Sequence, residues 1–164
     1  RSEKGFRWEA WVEAIDFCVN RNVNLEEALQ WSHYAMNAVF VGQRNFRTLS
    51  AKASVLQKLN RSAEADQLMK EAIPMGTMME LHVYGRQLIA EKKFADALQV
   101  FKINAQKNPG IFTPNMGLMR GYSATGDLKN ALKYAKLALT LAPENQKKMV
   151  EGFIQTLESG KEVN

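Results

Sequence analysis

The chain has 164 residues, of which 46% are hydrophobic and 24% are charged, as in folded globular domains and unlike disordered chains. Its single cysteine excludes an intrachain disulfide and a cysteine-based zinc finger, and no apolar run reaches the roughly 20 residues that cross a bilayer. Lys and Arg outnumber Asp and Glu by 22 to 17, a net charge of +5. The basic middle of the chain would suit an acidic partner, but lysines near predicted helix ends, such as Lys70, Lys107 and Lys136, also explain the excess because they offset the helix dipole.

The first half of the chain predicts two helix pairs, over residues 6–38 and 46–76, because apolar residues recur there at helical spacing. In the first pair these residues are Val12, Ile15, Val19, Leu25, Ala28 and Ala35. In the second pair the matching residues are Leu49, Ala53, Leu56, Ala65, Met69 and Ala72.

Two further pairs are predicted over residues 78–109 and 112–143, and they repeat each other at a spacing of 34. Ala97 matches Ala131, and Pro109 matches Pro143. Gly126 and Asp127 interrupt the last pair between its helices, and each proline closes an apolar stretch because proline cannot continue a helix. A final amphipathic helix is predicted over residues 144–159.

The order of these residues, with a small residue, an aromatic or leucine, Gly-Asp, alanines and a closing proline, resembles the tetratricopeptide repeat. The resemblance implies an all-α fold, a right-handed α-solenoid of about four helix pairs with a C-terminal capping helix. It covers nearly the whole chain, so residues 1–164 are expected to form a single domain. It also implies a non-catalytic scaffold that binds a protein or peptide on its concave face, with no cofactor.

Three strings, NLEEALQW, FVGQRNFRTLSAKA and HVYGRQL, are similar to the helical C-terminal part of a family of exported bacterial proteins. Members of that family carry a β-rich N-terminal domain of unknown function. This resemblance implies a periplasmic or cell-envelope location, and without it a cytoplasmic one is expected. It also leaves open an alternative function, a structural spacer that docks its own missing N-terminal domain.

The tetratricopeptide pattern places the first helix of each pair on the concave face, and this assigns candidate partner-binding residues. They are Arg47, Ser50, Met79, His82, Arg86, Met116, Arg120 and Ser123. Arg86 and Arg120 occupy the same place one repeat apart, and two guanidinium groups there suit a carboxylate or an acidic peptide. The alternative is that both arginines pair within the fold, for example with Glu80 or Asp127.

Candidate catalytic and metal-binding groups are few. Cys18 and His33 are the minimum for a cysteine nucleophile and its base, but a buried thiol beside an exposed histidine explains them as well. His82 is the only other histidine, which excludes a histidine-rich metal site, so no catalytic, cofactor or metal residue is predicted. Nucleic-acid binding is a further alternative, because the net charge of +5 would permit it. However, helical repeats that read bases place polar or stacking side chains at the same site in every unit. This sequence does not.

Overall fold

The structure, a computed structural model, describes residues 7–163. These residues form nine α-helices joined by short connections, with no strand among them, and the all-α prediction is confirmed. Within the same range no helix has the length and apolar character needed to span a membrane. The helices pack into two compact units, one ending at Gly76 and the other starting at Thr77, and each unit has its own core.

The first unit contains four helices followed by one 3-10 turn. They are α1 (Trp8–Arg21), α2 (Leu25–Asn37), α3 (Phe46–Lys58), α4 (Ser62–Ala72) and the turn Ile73–Met75. Helix α1 packs against α2 and α3, and α3 packs against α4. Buried side chains between α1, α2 and α3 include Val12, Ile15, Ala28 and Val55. The first three lie on the predicted apolar faces, whereas Val55 was not among the predicted residues.

The second unit contains the remaining five helices. They are α5 (Met78–Ala90), α6 (Phe94–Lys107), α7 (Phe112–Ala124), α8 (Leu128–Leu141) and α9 (Glu144–Glu158). Helix α6 packs against both α5 and α7, which also contact each other directly, and α8 packs against α7 and α9. The direct contact between α5 and α7 brings the candidate positions of these two helices onto neighbouring surfaces.

The first helix of every pair ends in the same turn. A residue with positive φ follows the helix, and the next N–H donates to a carbonyl five residues earlier, which is the Schellman arrangement. The four bonds are Val23 to Cys18, Arg61 to Leu56, Lys93 to Leu88 and Asp127 to Tyr122, at 2.8–3.0 Å. The positive-φ residue is Asn22, Asn60, Lys92 or Gly126. Gly126 adopts this conformation without the steric cost that a side chain brings.

A single aromatic ring of α6 fills the space between α5 and α7. Phe101 is fully buried, and three glycines, Gly85, Gly117 and Gly121, leave room for its ring. A Cβ added at Gly117 would lie 2.5 Å from Phe101 Cδ1, and one at Gly121 would lie 2.9 Å from Cδ2. The four-residue spacing of Gly117 and Gly121 therefore serves close helix packing around Phe101.

Candidate functional site

Two arginines, one on each of the neighbouring helices α5 and α7, define the candidate site. Arg86 and Arg120 stand at the same position of their helices. Both line a cavity of about 390 Å³, together with Ile89, Ala90, Lys92 and Phe94. The cavity therefore combines three cationic side chains with an apolar wall, and no acidic side chain lines it.

Neither arginine is neutralised by the fold. Within residues 7–163, Arg86 and Arg120 take part in no hydrogen bond and no ion pair with another side chain. Glu80 instead accepts hydrogen bonds from the backbone N–H and hydroxyl of Thr77, both at 2.8 Å. Asp127 accepts from the backbone and side-chain nitrogens of Asn130 at 3.1 and 2.6 Å. The suggested internal pairs with Glu80 and Asp127 are therefore not formed.

Arg120 carries its charge in a partly dehydrated position. The side chain is half-buried, and its guanidinium carbon lies 5.1 Å from the centre of the Phe153 ring on α9, a cation–π contact. Burial lowers the pKa of Arg120 from its usual value, and the nearby charge of Arg86 lowers it further. Both effects disfavour the charged form, and a nearby anion would favour it by offsetting the repulsion between the two guanidinium groups.

His82 lies one turn before Arg86 on α5 and is held neutral by the same surroundings. Its pKa is lowered to about 4, first by burial and then by the charges of Arg86 and Arg120. The ring centre lies 5.9 Å from that of Phe101. Its buried Nδ1 has no hydrogen-bond partner among the described residues. His82 therefore adds no positive charge at neutral pH and positions an unused polar atom near the arginines.

The other candidates of the second unit separate into one exposed and two buried residues. Met79 is exposed on α5, whereas Met116 is 5% exposed and packs in the core of α7, α8 and α9. Ser123 is fully buried, and its Oγ accepts a hydrogen bond of 2.7 Å from the backbone N–H of Val163. Met116 and Ser123, which the repeat pattern assigned to the concave face, are therefore buried within their own unit.

Arg47 and Ser50 lie on α3, in the first unit. The guanidinium carbon of Arg47 is 5.8 Å from the centre of the Trp8 ring. Burial raises the pKa of Asp16, and the charge of Arg47 opposes that rise. The Ser50 hydroxyl donates to the Arg47 carbonyl at 3.1 Å. Within the first unit, Arg47 therefore lies near the Trp8 ring and the Asp16 carboxylate.

Lys92, Phe94 and Phe153 belong to the site but were not predicted. Lys92 and Phe94 lie in and just after the turn that ends α5, outside the first-helix positions that the repeat pattern assigns. Phe153 lies on the final helix, α9, to which no partner-binding residue was assigned. No local pattern in the sequence marked these three residues, because Lys92 lies beyond the end of α5 and Phe153 is on a helix distant in sequence.

A second cavity of about 390 Å³ lies between α6, α7 and α8. None of the candidate partner-binding residues lines this second cavity. The rings of Tyr122 and Tyr134 stack there with their centres 5.5 Å apart, and Lys102 Nζ lies 5.6 Å from the centre of Tyr122. With one lysine at its wall, it carries less positive charge than the arginine cavity.

The remaining reactive groups are placed as follows. Cys18 is buried in the first core, and the exposed His33 has its Nδ1 3.3 Å from the side-chain amide of Asn37. Among residues 7–163, no group of three His, Cys, Asp or Glu side chains is placed to hold a metal ion.

In the comparison with known proteins, no protein-family model and no curated protein matches the chain.

Proposed function

We propose that this chain is a tetratricopeptide-like helical solenoid that works as a non-catalytic scaffold and binds an acidic segment of a protein or peptide. The binding site is the cavity between Arg86 and Arg120. Met79, exposed on the same helix as Arg86, adds apolar contact beside the charged groups.

Two features support the repeat architecture. The four helix pairs share one type of turn, at Asn22, Asn60, Lys92 and Gly126, and the last three recur at spacings of 32 and 34 residues. In each unit the first helices of successive pairs also contact each other, α1 with α3 and α5 with α7. Stacked helix pairs whose first helices line one face are the arrangement of helical repeat proteins.

The observation that carries the binding proposal is the half-buried Arg120, which has no hydrogen-bond or ion-pair partner among the described residues. Partly buried charges in proteins are normally paired, because dehydration without a counter-charge costs free energy. Arg86 stands unpaired beside it, and a carboxylate accepts two parallel hydrogen bonds from one guanidinium group. An acidic ligand therefore supplies what the fold leaves missing.

The test is selection from a random displayed peptide library on the full chain and on an Arg86→Gln/Arg120→Gln variant. We expect peptides rich in Asp and Glu to be enriched on the parent chain and to lose at least about tenfold in affinity on the variant, because each bidentate charge-assisted bond is strong. Enriched peptides are resynthesised, and their affinities are measured by fluorescence anisotropy.

A Lys70→Gln/Lys148→Gln variant is the control, since it removes the same net charge from exposed positions outside the cavity. Circular dichroism verifies that all variants are folded. Equal binding by the parent chain and the arginine variant, or no enrichment of any peptide, contradicts the proposal that the arginine cavity binds an acidic segment. The spacer alternative then takes its place.

A further inference from the structure

We infer that the arginine cavity selects a phosphomonoester carried on an apolar or aromatic group, rather than a simple carboxylate. This inference rests on the proposed function and names the ligand class of the same site. The shared chemistry is a dianionic phosphate ester, presented by a phosphorylated peptide side chain or by a small aryl or alkyl phosphate.

The charge at the cavity wall exceeds what one carboxylate neutralises. Arg86, Lys92 and Arg120 line the cavity, and no Asp or Glu does. The nearest acid along the chain, Glu91, is already engaged, accepting from Gln87 Nε2 and pairing with Lys93 Nζ, both at 2.9 Å. A phosphomonoester carries close to two negative charges at pH 7, whereas a carboxylate carries one.

The donor geometry also favours a tetrahedral group. A phosphate ester offers three acceptor oxygens that point in different directions, whereas a carboxylate offers two in one plane. Arg86 and Arg120 approach from different helices, α5 and α7, and Lys92 approaches from the turn after α5. Three cationic groups at three backbone positions match the three oxygens of a phosphate ester better than they match the two oxygens of a carboxylate.

The apolar wall specifies what carries the phosphate. Ile89, Ala90 and Phe94 line the cavity beside the cations, and its volume of about 390 Å³ lies within the usual range of small-ligand sites. Burying an apolar group against this wall adds affinity that free phosphate lacks. A phosphate joined directly to a ring or a short alkyl chain therefore uses both parts of the cavity.

The experiment is isothermal titration calorimetry of the full chain at pH 7.5 with four probes: phenyl phosphate, benzenesulfonate, benzoate and inorganic phosphate. The first three share one ring and differ in charge and shape. We expect phenyl phosphate to bind roughly tenfold or more tightly than each of the others, because only it combines two charges with an apolar group. Arg86→Gln, at an exposed position, should abolish this preference without unfolding the chain. Lys92→Gln should reduce it, and Lys148→Gln should leave it unchanged.

A matched pair of peptides, one with phosphotyrosine and one with tyrosine, then distinguishes the sources. Tighter binding of the phosphopeptide than of phenyl phosphate assigns the site to a peptide side chain, and equal affinities assign it to a small phosphate ester. Both results support the inference. Benzoate binding as tightly as phenyl phosphate overturns it but leaves the carboxylate-binding scaffold intact. Failure of all four probes also overturns it, while the peptide selection decides the proposed function independently.

Discussion

A charged side chain that loses part of its water normally gains a partner in exchange. Arg120 has gained an aromatic ring, Phe153, but no anion among the described residues. Burial, and then the same excess of positive charge, lowers the pKa of His82 and keeps it neutral. At the residue scale, the positive charge of the cavity therefore has no anionic partner among the described residues, and burial together with this charge opposes protonation of His82.

This opposition predicts an acid-sensitive contribution to stability from His82. The folded pKa is about 4 and the ordinary value is 6.5, so below about pH 6.5 the unfolded chain takes up a proton that the folded chain refuses. The contribution of neutral His82 to the free energy of unfolding is fully present above pH 6.5 and is lost as the pH falls towards 4. Allowing for partial solvent exposure, we expect a loss of about 1–2 kcal/mol.

Urea denaturation at pH 7.0, 5.5 and 4.5 measures this loss. In a His82→Gln variant that part of the pH dependence should disappear. A His33→Gln variant, changed at an exposed site, should keep the parent profile. Identical pH profiles for His82→Gln and the parent chain would show that His82 is not held neutral.

At the scale of elements, the approach of α5, α6 and α7 depends on where side chains are absent. Gly85, Gly117 and Gly121 leave the volume that the Phe101 ring fills. Glycine lowers helix stability relative to alanine, and at these three positions the packing of Phe101 offsets that loss. The same packing sets the separation of α5 and α7, and with it the separation of Arg86 and Arg120.

Replacing Gly117 by alanine should therefore destabilise the protein by about 1–3 kcal/mol, because the new methyl group overlaps Phe101. Gly152→Ala is the matched control. Its added Cβ meets nothing within 4 Å in α9, so we expect stabilisation by about 0.5–1 kcal/mol. Both values come from urea unfolding at pH 7.

A second measurement isolates the contact itself. In a Gly117→Ala/Phe101→Leu double variant, the smaller side chain should relieve part of the overlap. The combined loss should then be less than the sum of the single losses. Strict additivity would mean that the ring and the glycine are not coupled.

At the scale of the whole molecule, the described residues form two compact units, and each unit contains a cluster of buried apolar side chains. The arginine cavity lies entirely in the second unit, and its residues come from α5, the turn after it, α6 and α7. That unit is closed by α9 and by the segment that follows it, where Val163 is buried and its N–H donates to Ser123. The cavity and the core that supports it therefore belong to one part of the chain.

A fragment of residues 77–164 should consequently fold alone and unfold in one cooperative transition, measured by circular dichroism during heating. It should also keep the arginine-dependent binding of the full chain. A fragment of residues 77–160 lacks Val163 and its hydrogen bond to Ser123, and we expect it to be about 1–3 kcal/mol less stable. A broad, non-cooperative transition of the longer fragment would show that the second unit needs the first.

The sequence by itself determined the helices, because their signals are local. Apolar spacing, the Gly126-Asp127 break and the closing prolines act within a few residues of where they stand, and the observed helices lie within the ranges those signals predict. The repeat spacing also placed Arg86 and Arg120 at matching positions, which depends only on counting residues.

Tertiary structure alone decided which of these positions are open to a partner. The repeat pattern treats Met79, Met116 and Ser123 alike, yet of these three only Met79 is exposed. Met116 belongs to the core that α7 forms with α8 and α9, and Ser123 accepts a hydrogen bond from Val163. Lys92 and Phe94 joined the cavity through the turn after α5, and Phe153 reached Arg120 from α9. Burial and pairing depend on groups far apart in sequence, and no local pattern records which of them meet.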